Sequence, residues 1–134
     1  MKLIVCLDDD NGMRFNHRRQ SRDRNLIQDV LSNLDGEKLY AMNESKLLFS
    51  DSESAVEFLD TMPTNIKGYF FAEENVDPTI INQIDTLIIY KWNRRYPHDV
   101  VFEIPYQNWR LISTYDFEGS SHDKITKEVY KRRD

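Results

Sequence analysis

Apolar runs and polar stretches alternate along the chain, and their spacing predicts its elements. "KLIVCLD" (residues 2–8) is a continuous apolar run rich in branched side chains. A strand buried on both faces loses the two-residue alternation, so this segment reads as a central strand. Asn11-Gly12 then breaks the chain. Leu26, Ile27, Val30, Leu31 and Leu34 follow at helical spacing. Ser21 is the expected N-cap of that helix, Asp23 falls in its first turn, and Gly36 is expected to end it. "KLYAM", "GYFFAEE", "DTLIIYKW" and "WRLISTYDF" read as four further strands. "SESAVEFLDTM" reads as a helix with a capping box from Ser54 to Glu57. "DPTIINQI" reads as a short helix capped by Asp77 with Pro78 at its first position. "SHDKITKEVYKRR" reads as a last helix with basic residues in its final turn. "NESKLLF" fits a helical turn or a strand extension, and "DVVFEI" a weak strand or an extended segment.

Strands alternating with helical stretches predict an α/β fold: one three-layer domain over residues 1–134 with a mostly parallel, about five-stranded sheet. A length of 134 residues suits one domain, and a hydrophobic fraction of 40% can build its core. The formal charge of −5 argues against general nucleic-acid binding, which normally shows a basic stripe on a basic domain. Cys6 is the only cysteine, so an internal disulfide and a Cys-rich zinc site are both impossible. It sits in an apolar run and is expected to be a buried, unreactive core residue. No stretch approaches the ~20 apolar residues of a membrane span. "MKLIVCLDDD" is too short in its apolar part for a signal peptide, so a cytoplasmic protein without membrane partners is expected.

Open α/β sheets bind ligands outside the carboxyl ends of their strands. The segments that follow the five strands are "DDDNGMRFNHRRQSRDR", "NESK", "EENVD", "KWNRRYPHD" and "EGSSHDK". The first holds Arg14, His17, Arg18, Arg19, Arg22 and Arg24 against an acidic background. Arginine forks bind carboxylates and phosphates bidentately, and a helix N-terminus near Ser21 adds free N–H groups. There is no GxxxxGK[ST] and no GxGxxG, so a phosphate-cradling glycine loop is not the source of binding. The competing reading pairs these arginines with Asp8, Asp9, Asp10 and Asp23. In "GSSHDKIT" the glycine and two serines at a helix start could hold an anion, or Ser120 and Ser121 could simply cap that helix. In "KWNRRYPHD", Trp92, Tyr96, Arg94 and Arg95 could stack a base or sugar, or cover the sheet end.

Other chemistries have less support. No GxSxG elbow announces a Ser-His-Asp nucleophile. Asp8 and Asp10 share a face of an extended strand and could hold magnesium for phosphoryl chemistry. Zinc has no HxH or HExxH to bind.

With "IVCLDDDNGMRFNHRRQSRDR", "YKWNRRYPHD" and "FEGSSHDKITKEVY" in view, the chain resembles, nearly end to end, a group of small proteins from anaerobic Gram-positive bacteria, some labelled ribonuclease Z. True ribonuclease Z enzymes are two-zinc nucleases of the metallo-β-lactamase fold with an HxHxDH motif. No position here matches that motif, so the resemblance transfers no catalytic residue.

The reading that results is a domain binding a polar, anionic ligand such as a phosphate, nucleotide or carboxylate at the carboxyl edge of its sheet. Arg14, Arg18, Arg19 and Arg94 are its expected anion contacts, Asn11 and Gly12 the turn, and Ser120 and Ser121 the N–H donors. No cofactor and no resident metal are expected. If chemistry occurs, His17 and His122 are the acid–base candidates, with Asp8 and Asp10 the metal holders of an alternative phosphoester or nucleotide hydrolase. A third reading is a protein-interaction module, such as an immunity or adaptor protein, whose acidic surface meets a basic protein partner.

Overall fold

A computed structural model describes residues 1–133. The apolar run at the start forms β1 (Lys2–Leu7), and Leu3, Val5 and Leu7 are wholly buried. It lies between β6 (Tyr69–Phe71) and β7 (Thr86–Lys91), parallel to both. β4 (Leu39–Met42) and β5 (Val56–Leu59) extend the parallel set beyond β6. On the other side β10 (Ile125–Arg132) runs antiparallel to β7, and β9 (Trp109–Phe117) runs antiparallel to β10. The sheet therefore has seven strands in the order β5-β4-β6-β1-β7-β10-β9. A second, three-stranded sheet joins β3 (Arg18–Arg19), β2 (Gly12–Phe15) and β8 (Val100–Val101).

The α/β class and the mostly parallel sheet match the expectation, but the strand count rises from five to seven in the main sheet. Both added strands come from segments expected to be helical. In the first, a run of 3₁₀ turns spans Asn43–Ala55, broken at Phe49 and Ser52, and the chain then extends as β5. Val56 is buried beside exposed Glu57, the alternation of an edge strand. Glu57 pairs with Lys38, the residue just before neighbouring β4, at 3.5 Å rather than closing a capping box with Ser54. In the second, β10 occupies the space between β7 and β9. Its Lys127 and Val129 face α1, while Tyr130 packs on the opposite face. That two-residue alternation suits a strand better than the helix expected there.

One face of the sheet is covered by α1 (Arg24–Ser32), whose Leu26 and Val30 pack on Ile4, Phe71, Ile88 and Tyr90. Phe49 of the 3₁₀ run extends this layer, edge-on to Phe71 at 5.4 Å. The opposite face carries no long helix, contrary to the three-layer expectation. It is covered by the single turn α2 (Pro78–Ile81), capped by Asp77 as expected, and by Met13, Phe102, Ile104 and Trp109. Cys6 is half-buried rather than a full core residue, and desolvation still pushes its thiol well above the ordinary value. No helix among the described residues is long and apolar enough to cross a membrane.

Because β9 runs in the same direction as β7, the 118–124 connection returns to the carboxyl edge of the parallel strands. Thr126 at the start of β10 pairs with Lys91 at the end of β7. The loops after β1, β4, β6, β7 and β9 thus meet along one edge.

Candidate functional site

The first of these loops is organised by Asp8. Its carboxylate is buried at the end of β1 and accepts the backbone N–H groups of Gly12 at 2.7 Å and Asp10 at 2.8 Å. The Gln20 amide donates to it at 2.9 Å, and His98 Nδ1 lies at 3.3 Å. Burial alone would raise its pKa, but the N–H bonds from Gly12 and Asp10 and the Gln20 amide win, leaving it below the ordinary carboxylate value. Asn11 takes the left-handed conformation this tight turn needs, at φ 63°. Gly12 has no room for a side chain: a Cβ would lie 2.7 Å from Asp8 Oδ2, Gln20 Nε2 and His98 Cβ. Asn11 and Gly12 therefore shape the turn. Asp8, Asp10 and His98 bring ligand atoms within 4.8 Å of one another. A metal there would have to displace the bonds that Asp8 already makes, and Asp10 already pairs with Arg95 at 3.2 Å.

The expected basic loop is a hairpin. β2 and β3 pair Arg14 with Arg19 and Phe15 with Arg18, and Asn16 and His17 form the turn at φ 52° and 62°. Its arginines separate into two groups. Arg19 forks onto Glu73 at 2.6 and 2.8 Å, and Ser45 Oγ donates to the same carboxylate at 2.7 Å. The hydrogen bond to Glu73 raises the Arg19 pKa further. Arg14 donates to the His17 carbonyl at 2.6 Å and lies 3.9 Å from Glu74. These two are engaged by the chain's own groups. Arg18, Arg22 and Arg24 are exposed, and their guanidinium groups make no ion pair or hydrogen bond among the described residues. Arg94 stands apart, stacked over the Tyr96 ring at 5.6 Å beside a different basin formed with Asn93 and Lys124. His17 is exposed at the hairpin tip.

The densest polar cluster centres on Asp23. Asp23, not Ser21, is the N-cap of α1: its Oδ1 accepts Asn25 N at 2.9 Å and Leu26 N at 3.2 Å. The same carboxylate accepts Ser120 N and Ser121 N, both at 2.9 Å, from the 118–124 loop. His122 Nδ1 lies 2.9 Å from Asp23 Oδ2. Burial would raise the Asp23 pKa, but the N–H groups of Ser120 and Ser121 and the His122 ring hold it well below the carboxylate range. Ser120 Oγ in turn accepts Arg24 N at 2.9 Å. Ser120 and Ser121 are therefore not donors at the start of a helix; their N–H groups are spent on Asp23. The His122 ring stacks on Trp92 at 4.6 Å between centroids, and its Nε2 meets Tyr96 OH at 2.9 Å and Ser21 Oγ at 3.1 Å.

A cleft runs between these clusters, lined by Cys6, Gln20, Ser21, Leu48, Phe71 and Trp92. Its floor has only about 20 Å³ of free space, room for about one water. Two wider basins share part of the cleft's lining, one of about 490 Å³ along Arg24, Ile27 and Ser120, the other of about 800 Å³ along Arg18, Ser21 and Glu44. Arg22 stands on all three. Sequence reasoning placed Ser21 and Tyr96 at this edge, as a helix cap and a stacking ring, but did not single out Asp23, Gln20 or Glu73 as the groups that organise it. Only Asp23 carried a local signal, being a cap-type residue directly before the helical run.

No protein-family model and no curated protein sequence matches the chain. Among solved structures it is similar to a dihydrofolate reductase from Enterococcus faecalis complexed with NADP(H) and RAB-propyl, at a TM-score of 0.67 and 12% identity, covering 99% of this chain and 96% of that one. The fold is accordingly dihydrofolate reductase-like. This likeness points away from the ribonuclease Z label carried by the proteins the sequence resembles, and so corrects that resemblance.

Proposed function

We propose that the chain binds a small anionic ligand, a phosphate, nucleotide or carboxylate, in the basins between the β2–β3 hairpin, the start of α1 and the 118–124 loop. The observation that carries this is the set of unpaired guanidinium groups of Arg18, Arg22 and Arg24 around basins of ligand size, in a chain of net charge −5. Arginines left without carboxylate partners on an acidic protein are poised for a bidentate anion. The location supports the same reading, since it is the carboxyl edge of a mostly parallel sheet. So does the similar solved structure, whose enzyme holds an anionic dinucleotide, NADP(H). At 12% identity that likeness speaks for the fold, and the reductase activity does not follow from it.

Thermal-shift titration with inorganic phosphate, mononucleotides, NADPH and dicarboxylates tests the reading. A ligand at 100 times its Kd stabilises by about 2.7 kcal/mol, and the melting point should rise accordingly. The rise should vanish in the double variant Arg18→Ala/Arg22→Ala, whose own stability stays near that of the parent because both side chains are exposed. Flat melting points for every anion, or a rise that survives the double variant, overturn it.

A further inference from the structure

The sequence has no nucleophile elbow, yet the fold assembles three residues of the types that activate a serine. Asp23 Oδ2, His122 Nδ1, His122 Nε2 and Ser21 Oγ form one chain with links of 2.9 and 3.1 Å. Such constellations are defined by geometry and role, not by sequence order. We propose that Ser21 is a nucleophile for acyl transfer, activated by His122 and oriented by Asp23, acting on carboxylic esters that carry an anionic group.

Asp23 accepts N–H groups of Asn25, Leu26, Ser120 and Ser121, which fixes it as an acceptor. An ionised carboxylate facing Nδ1 places the proton of neutral His122 on Nδ1 and leaves the Nε2 lone pair open. The stack on Trp92 and the tight packing of the ring, 2% exposed, hold that lone pair in place. Two hydroxyl groups compete for it, Tyr96 OH and Ser21 Oγ, and they lie 3.4 Å from each other. A single lone pair takes one strong donor, so a substrate that engages the Tyr96 hydroxyl leaves Nε2 to Ser21. Ser21 is half-buried and lines both the cleft and the arginine basin, so its hydroxyl is reachable where Asp23 and His122 are not. The backbone N–H groups of Ser21 and Arg22 have no intramolecular acceptor among the described residues. They and the Arg22 guanidinium are the donors available to a developing oxyanion.

The reaction balances with water as the only co-reactant. Ser21 Oγ attacks the ester carbonyl while its proton passes to His122 Nε2. The C–O bond to the alcohol breaks, and the Nε2 proton goes to the departing oxygen. Water then attacks the acyl-serine, gives one proton to Nε2 and releases the acid, and that proton returns to Ser21 Oγ. The choice of anionic esters rests on the anion-binding reading above; the nucleophile itself does not.

The test treats the full chain with a fluorophosphonate probe and locates adducts by peptide mass spectrometry. Hydrolysis of mono-p-nitrophenyl succinate is compared in parallel with that of neutral p-nitrophenyl butyrate. An adduct on Ser21 is expected in folded protein and not in urea-unfolded protein. Ser21→Ala should abolish it, and His122→Gln should slow it by about 10²-fold or more. Should His122→Gln fail to fold, the parent's own labelling decides, since a serine without a general base labels no faster folded than unfolded. Equal labelling in the two states, or an undiminished rate in a folded His122→Gln, overturns the proposal. Labelling of Ser21 without preference for the succinate ester would leave the nucleophile standing and sink the anion-binding reading. An anion-dependent melting shift without labelling would do the reverse.

Discussion

Asp23 joins two parts of the chain with one carboxylate. It caps α1 through Asn25 and Leu26 and fastens the 118–124 loop through Ser120, Ser121 and His122. Loss of a cap alone costs about 0.5–2 kcal/mol, and here it also strips partners from the buried Leu26 N–H and the part-buried N–H groups of Ser120 and Ser121. Asp23→Ala should therefore destabilise by about 2 kcal/mol or more, read as a lower urea midpoint. Its pKa is lower in the folded state than its ordinary value of 3.8. The stabilisation it gives is thus complete above that value and is lost as the pH falls through the folded pKa. Asp8 shifts in the same direction, so stability measured by urea titration should drop steeply below about pH 4. Gly12 makes the opposite kind of demand, for space. Gly12→Ala forces a Cβ to within 2.7 Å of three atoms and should cost about 1–3 kcal/mol by the same measurement.

At the level of elements, α1 is tied to the sheet by more than its apolar stripe. Asp29 on α1 accepts Tyr90 OH from β7 and Tyr115 OH from β9, both at 2.6 Å, and faces Lys127 of β10 at 3.1 Å. Burial would raise the Asp29 pKa, but the two tyrosine hydroxyls and Lys127 bring it below the ordinary value. Tyr90→Phe removes one bond and leaves Asp29 its other partners, so a loss of about 1 kcal/mol is expected. Asp29→Leu leaves the Tyr90 hydroxyl buried without an acceptor and should cost more, about 1–3 kcal/mol for that group alone. Urea denaturation of the two variants side by side checks the ranking. The same elements show what the sequence could carry. Central strands such as β1 and β7 announce themselves because both faces are buried. β5 and β10 do not, because "VEFL" and "ITKEVYKR" mix polar and apolar residues that fit either period over so short a span. Their partners, β4 in one case and β7 with β9 in the other, decide between strand and helix.

Over the whole molecule, the α/β class and the gathering of loops at one sheet edge were legible, because both follow from the order of the strands. The membership of the site was less so. Arg18 and Arg19 read alike in the sequence, since nothing local distinguishes the exposed arginine from the one whose partner Glu73 lies 54 residues away. The same holds for Ser21 and His122, 101 residues apart in sequence and 3.1 Å apart in space. The layering also sets a gradient of protection. β1 and β7 are bonded on both sides and buried, whereas β9 is an edge strand whose Arg110 to Asp116 segment is exposed. Native-state hydrogen exchange should find the slowest amides in β1 and β7 and rapid exchange for the outward amides of β9. Cys6 is half-buried and its thiol is held protonated by desolvation, so Ellman's reagent should react slowly with native protein and fully once urea is added.

The reach of Asp23 has a consequence in time. The carboxylate that starts α1 waits for N–H groups 97 and 98 residues further along the chain. The helix can wind early, since its own cap bonds are local, but its first turn is not locked until the β9–β10 hairpin has closed over it. Contacts that distant in sequence are made late, after the entropy of a long loop has been overcome. The arginine basins and the Ser21 cleft should thus take shape late in folding, with amides of the 118–124 loop gaining protection after those of α1 in pulse-labelled hydrogen exchange.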